Sequence, residues 1–97
     1  MQFLVLATRA DPAPARAPSS DEREAEFEVI RRLYASGVVQ QIWFRADGGA
    51  CIIAESDGAE SLAQKFADLP LVKSGHLEMP KVIALKPYSG FGPRSGT

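Results

Sequence analysis

Ser36 to Leu71, SGVVQQIWFRADGGACIIAESDGAESLAQKFADLPL, holds a strand, a tight turn, a return strand and an amphipathic helix in close succession. Val38 to Ala46 is rich in β-branched and aromatic residues, which suit a pleated, half-buried surface. Asp47-Gly48-Gly49 follows, the composition a short hairpin loop needs where φ turns positive. Ala50 to Glu55 is the return strand. Asp57 then stands three residues before Glu60, the spacing of a capping box. Ala59, Leu62, Ala63, Phe66 and Leu69 fall on one helical face, and Pro70 is expected to stop that helix.

Outward from this stretch, Gln2 to Thr8 (QFLVLAT) has apolar residues for both faces, as a strand buried on two sides would. Arg9 to Ser20 carries three prolines among alanines without periodicity, which predicts an extended, semi-rigid loop that either borders a site or simply crosses the surface. Ser20 or Asp21 is expected to cap the next helix, which runs to about Ser36 before Gly37. Acidic residues in its first half and Arg31 and Arg32 in its second complement the helix dipole. Phe27, Ile30, Leu33 and Tyr34 supply its apolar face. The acidic run lacks a ligand-spaced histidine, so it is expected to be a solvated face and not a metal centre. The last strand is expected within His76 to Lys86, with Leu77, Met79, Ile83 and Leu85 on one face and Pro80 confining it to an edge.

The order β-α-β-β-α-β predicts an α+β, ferredoxin-like antiparallel sheet with both helices on one face, the first and third strands central. The domain is expected to span residues 1–87, with a Gly/Pro-rich tail at 88–97 whose end is disordered. Both faces of the strands carry apolar groups: Val38, Ile42 and Phe44 against Val39 and Trp43, and Ala50 and Ile52 against Cys51 and Ile53. The face without helices therefore calls for a second copy, sheet against sheet, in a homodimeric α/β barrel.

Ninety-seven residues make one domain, and a net charge of −1 gives no electrostatic reason to expect nucleic acid or an anionic membrane as partner. One cysteine excludes an intrachain disulfide, and Cys51 in mid-strand reads as a small buried hydrophobe. No run is long enough to span a membrane, and Phe3 to Ala7 is too short for a signal-peptide core, so a cytoplasmic location is expected.

From DEREAEF through RRLYASG, then QQIWFRADGG, then the pattern S-L-x-x-x-F-x-x-L-P-L over Ser61 to Leu71, the chain resembles muconolactone isomerase and its relatives in the dimeric α/β-barrel superfamily. It departs from that family in the proline-rich first loop and in the PYSGFG near its end. The resemblance implies a cofactor-independent isomerase that moves a proton on a small unsaturated cyclic or lactone substrate. Two alternatives belong to the same fold: a cofactor-free monooxygenase or cyclase on an aromatic or polyketide-type substrate, and a non-catalytic dimeric small-molecule-binding protein. The superfamily's YCII-like branch relies on a histidine and an aspartate, and no histidine lies near this first helix.

Proton transfer needs one positioned base and a group to steady an enolate. His76, the only histidine, is the first candidate base because its unperturbed pKa lies near neutrality. Glu28 is the second, with Glu78 as a further possibility, whereas Glu24 and Glu26 are expected to be solvated. Arg45 is placed to take a substrate carboxylate. Trp43, Tyr34, Tyr88 and Phe91 are the candidate aromatic lining of a substrate pocket.

Overall fold

The computed structural model describes residues 1–92; the expected disorder at the end of the tail concerns residues outside that range. β1 (Gln2–Ala7), α1 (Ser20–Ala35), β2 (Val39–Phe44), β3 (Ala50–Glu55), α2 (Ala59–Ala67), α3 (Pro70–Lys73) and β4 (Lys81–Ala84) follow in that order, with a 3₁₀ turn at Ser89–Phe91. The four strands form one antiparallel sheet in the order β2-β3-β1-β4. The two most apolar strands are thus central, and the α+β, ferredoxin-like architecture holds.

Strand register divides the residues between two faces. Phe3, Val5 and Ala7 of β1 pair with Ala54, Ile52 and Ala50 of β3, and all point toward the helices. Leu62, Phe66 and Leu69 close over Phe3, Val5, Val39, Ile52 and Ala54 to complete the core. Burying a side chain as large as Phe66 contributes about 1.5–3 kcal/mol. Leu4, Leu6, Cys51, Ile53 and Ile83 lie on the opposite face, which no helix among the described residues covers. One irregularity in β2 changes the expected faces. Val39 pairs with Ala54 and Gln41 with Ile53, so Gln40 is an extra residue in a bulge. Val39 therefore shares the core face with Ile42 and Phe44, and Trp43 lies on the open face.

Local signals held unevenly. α1 begins one residue earlier than expected. Ser19 is its N-cap, its hydroxyl accepting from the Glu22 amide while the Glu22 carboxylate accepts from the Ser19 amide. The box expected at Asp57 and Glu60 does not form, because Gly58 occupies the cap position and has no side chain to offer. Pro70 does not stop α2, which ends at Ala67. It opens α3, where a missing N–H at the first position costs nothing. β4 is shorter than the expected His76–Lys86, and Pro80 is buried just before it. Val82 packs on the core while Ile83 is on the open face.

α1 lies against β2 and α3, and α2 against β4 and α3. Glu26, Val29, Ile30 and Leu33 form the half-buried stripe of α1, spaced at three and four residues. Phe27 and Tyr34, expected on that apolar face, fall to its sides and are exposed. At the β2–β3 hairpin, Gly48 and Gly49 take φ of 95° and 93°, and a Cβ on Gly49 would run into the Ala7 carbonyl oxygen. That close approach seats the hairpin on the end of β1.

Candidate active site

A cleft of about 1050 Å³ opens between the helix face of the sheet, the N-terminal half of α1 and the proline-rich loop. The sheet contributes Ala7, Ile42, Phe44, Ala50 and Ile52, and α1 contributes Glu26, Phe27 and Ile30. The loop forms the remaining wall through residues 13–18, which makes it a structural border of the site.

The loop is held at several points. Arg9 bridges Leu77, and the Ala10 amide donates to the His76 carbonyl at 3.0 Å. Arg16 reaches the Glu22 carboxylate with both terminal nitrogens, at 2.6 and 3.1 Å. The Arg16 contact holds the Glu22 carboxyl down at about 2.

His76 is buried in the loop before β4 and not at a strand start. Its Nε2 lies 2.9 Å from the Arg16 carbonyl, which can only accept, so Nε2 carries a hydrogen. Its Nδ1 lies 2.7 Å from the Ser74 hydroxyl. In the neutral ring Nδ1 accepts from that hydroxyl. In the protonated ring it donates, and the hydroxyl turns to the Leu71 carbonyl 3.2 Å away. Both nitrogens are engaged in either state, which suits a clamp better than a base.

Glu26 is the titratable group that the acidic run concealed. It was expected to be solvated, yet it is half-buried on the inner stripe of α1 and lines the cleft. Its Oε1 accepts the Leu71 amide at 3.1 Å. Leu71 follows Pro70 in the first turn of α3, where a helix leaves its amides unpaired, so Glu26 satisfies an orphan donor. Burial raises the Glu26 pKa, and the Leu71 hydrogen bond partly opposes the rise. The sequence did hold a signal: Glu26 extends the Val29–Leu33 stripe by one turn.

Glu28 lies outside the cleft. It faces Arg31 at 2.9 Å and Arg32 at 3.3 Å on the outer side of α1. The Arg31 hydrogen bond, with the charges of Arg31 and Arg32, lowers its pKa. Glu78 is exposed, its amide donating to the Thr8 carbonyl.

Arg45 lines the cleft, but its guanidinium is spoken for. It holds both oxygens of Asp47, at 2.9 and 2.7 Å, and donates to Thr8 Oγ1 at 2.9 Å. Trp43 is half exposed on the open sheet face, Tyr34 is exposed on α1, and neither borders the cleft. Tyr88 and Phe91 stack edge to face with centroids 4.7 Å apart and stay exposed, away from the cleft. Phe27 and Phe44 are the aromatics that do line it. Among the described residues, no group of three His, Cys, Asp or Glu side chains is placed to hold a metal ion, and no helix is long and apolar enough to cross a membrane.

Superposed on solved structures, the chain matches muconolactone isomerase with a TM-score of 0.70 and 21% identity, over 97% of this chain and 98% of that one. The chain has the muconolactone isomerase fold. It also matches 5-chloro-2-hydroxyhydroquinone dehydrochlorinase (TftG) from Burkholderia phenoliruptrix AC1100, solved in complex with 2,5-dihydroxybenzoquinone. The TM-score there is 0.67 and the identity 18%, over 93% of this chain and 98% of that one. No protein-family model matches the chain, and no curated protein matches it by sequence.

Proposed function

We propose that this chain is a cofactor-independent isomerase that moves a proton on a small unsaturated cyclic or lactone substrate, with Glu26 as the base and His76 as a positioning residue. The observation that carries this reading is the half-buried Glu26 carboxylate on the apolar wall of the cleft, tied to protein only through Oε1 among the described residues. A carboxylate so placed can take a proton from the carbon next to a carbonyl, or its vinylogue, and return it to another carbon of the same ring. The electron pair left behind becomes an enolate, and the arginines on the cleft rim favour that charge. Desolvation raises the Glu26 pKa, the direction that makes its carboxylate a stronger base.

Isomerase and dehydrochlorinase, the names of the two solved relatives, both describe reactions that a proton-accepting group can run. The second relative favours one further reading. The same base would first move a proton from a ring hydroxyl of a chlorinated hydroquinone to the chlorine-bearing carbon, giving the keto tautomer. It would then take a second hydroxyl proton as its electron pair forms a carbonyl, the ring double bond shifts and chloride leaves that tetrahedral carbon.

Turnover of muconolactone and a panel of unsaturated five-membered lactones, in buffer without added cofactor, tests the reading. Glu26→Gln should lower kcat by ~10²–10⁴, the usual worth of general acid–base catalysis. Glu28→Gln should leave it unchanged. Full activity in Glu26→Gln would overturn the assignment, and chloride release in place of isomerised lactone would select the second reading.

A further inference from the structure

We infer that Leu71 and Gly75 are positioning residues for the proton transfer: the Leu71 amide holds Glu26 Oε1, leaving Oε2 to meet the substrate, and the left-handed turn at Gly75 holds Leu71. This rests on the reading of Glu26 as the base and extends it to what aims the carboxylate.

The tether begins with a single unspent donor. α3 opens at Pro70, which has no N–H, and the Val72 and Lys73 amides both donate to the Leu69 carbonyl at 3.0 Å. Leu71 is thus the residue of α3 whose amide is left without a main-chain acceptor. Glu26 Oε1 takes it at 3.1 Å, across 45 positions of sequence. With one oxygen held and the other free among the described residues, the carboxylate can offer only Oε2 to the cleft.

The other end of Leu71 is held as firmly. Its carbonyl accepts from the His76 and Leu77 amides, each at 3.0 Å, and from the Ser74 hydroxyl at 3.2 Å. The His76 bond, together with the Gly75 amide on the Val72 carbonyl at 3.1 Å, closes α3 with the paired bonds of a left-handed helix stop. Gly75 makes that stop with φ of 84°, a conformation that side chains disfavour. Space does not select glycine there, since a Cβ would meet only Pro14 Cγ, at 3.7 Å. The backbone angle does.

Leu71, His76 and Leu77 line the same cleft as Glu26. The base is therefore aimed by the piece of chain that also forms part of the wall, and His76 fastens that piece to the Arg16 carbonyl of the proline-rich loop. Arg9, Arg16, Arg23, Arg31 and Arg45 line the cleft as well, and Lys73 of α3 pairs with Asp68. Among the described residues, no cation lies within ion-pair distance of Glu26. The aim of the carboxylate then depends on Leu71, and a misplacement of ~1 Å made away from the chemistry can cost ~10²-fold in rate.

NMR signals of the Leu71 amide and the Glu26 carboxyl carbon, followed through pH, read the tether without substrate. In the wild-type chain the two should move with one midpoint, and Glu26→Gln should flatten the amide response. Gly75→Ala puts a Cβ on the left-handed turn and should loosen Leu71. The amide bond lowers the Glu26 pKa, so weakening it should raise the midpoint further. With muconolactone and the five-membered lactones as probes, Gly75→Ala should lower kcat by ~10²-fold with little change in KM. The acid limb of its kcat/KM profile should move to higher pH with the NMR midpoint. Gly75→Asn, whose side chain tolerates this backbone conformation, should restore most of both. A Leu71 amide that does not follow the Glu26 midpoint would overturn the inference. So would a Gly75→Ala protein that melts earlier but keeps the wild-type midpoint and pH profile, since its turn would then be merely structural. Full activity in Glu26→Gln would overturn the base, and with it the role of the tether, even where the two signals titrate together.

Discussion

His76 Nε2 donates to the main-chain carbonyl of Arg16 at 2.9 Å, joining positions 60 residues apart in sequence. The bond ties the far wall of the cleft to the turn that follows α3, and His76 Nδ1 continues the chain to Ser74. Removing the ring would take the partner from the Arg16 carbonyl and leave the Ser74 hydroxyl only the Leu71 carbonyl. His76→Ala is therefore expected to destabilise the fold by about 1–3 kcal/mol, the scale of two lost hydrogen bonds. It should also raise the susceptibility of the 9–19 loop to limited proteolysis. Denaturant titration together with protease mapping checks this, and an unchanged midpoint with an equally resistant loop would refute the clamp.

A second tether gives the same loop a dependence on pH. The Arg16 contact depresses Glu22 from 4.5 to about 2. A carboxylate lowered in the folded state contributes stability above its unfolded pKa, and that contribution is lost as pH falls through the folded value. The tether should therefore loosen between about pH 4.5 and 2, not near neutrality. Both partners are solvent-facing, so the effect belongs to the loop and not to global stability. An NMR titration of the Glu22 carboxyl reads it directly, and a midpoint at the ordinary carboxylate value would reject the contact.

The open sheet face leads to a third expectation. Leu4, Leu6, Cys51, Ile53 and Ile83 share it with a half-exposed Trp43. An apolar face of this breadth suits a second copy packed sheet to sheet. Sedimentation at micromolar concentration should give twice the 10.5 kDa chain mass. Trp43→Glu, which puts a charge on that face, should return it to the monomer. A wild-type chain that stays monomeric at those concentrations would exclude the dimer.

Much of this architecture was legible because it depends on pattern. The continuous apolar runs FLVLA and ACIIA, the Asp-Gly-Gly turn and the spacing of Leu62 and Phe66 each express a local rule that tertiary contacts did not override, whereas Leu69, expected on the same helix face, lies beyond the end of α2 at Ala67. The site was harder to see. Residue type does not separate Glu26 from Glu24 and Glu28; only the stripe set by Val29 and Leu33, which Glu26 extends, does. His76 had the right chemistry for a base, but its ring is engaged by groups at positions 16 and 74, and the Arg16 carbonyl belongs to a loop without periodicity. The Gln40 bulge was equally hidden, since one extra residue in β2 exchanges faces without changing composition.

Glu26 itself is expected to set the pH dependence of stability at the site. Burial raises its folded pKa above the ordinary value of 4.5. A carboxyl raised in this way contributes its stability below the unfolded pKa, and that contribution is lost as pH rises through the folded value. Glu26→Gln keeps an oxygen to accept the Leu71 amide but has no charge to desolvate. The variant should match the wild type near about pH 3.5 and become the more stable of the two as the wild-type carboxyl ionises. The gap should be modest, because the side chain is only half-buried and water screens part of the cost. Melting temperatures of both proteins from acid to neutral pH measure it, and parallel curves would show that the carboxyl is not desolvated. The same series bears on chemistry. A variant that melts later at neutral pH yet turns over no substrate has lost the base and not the fold.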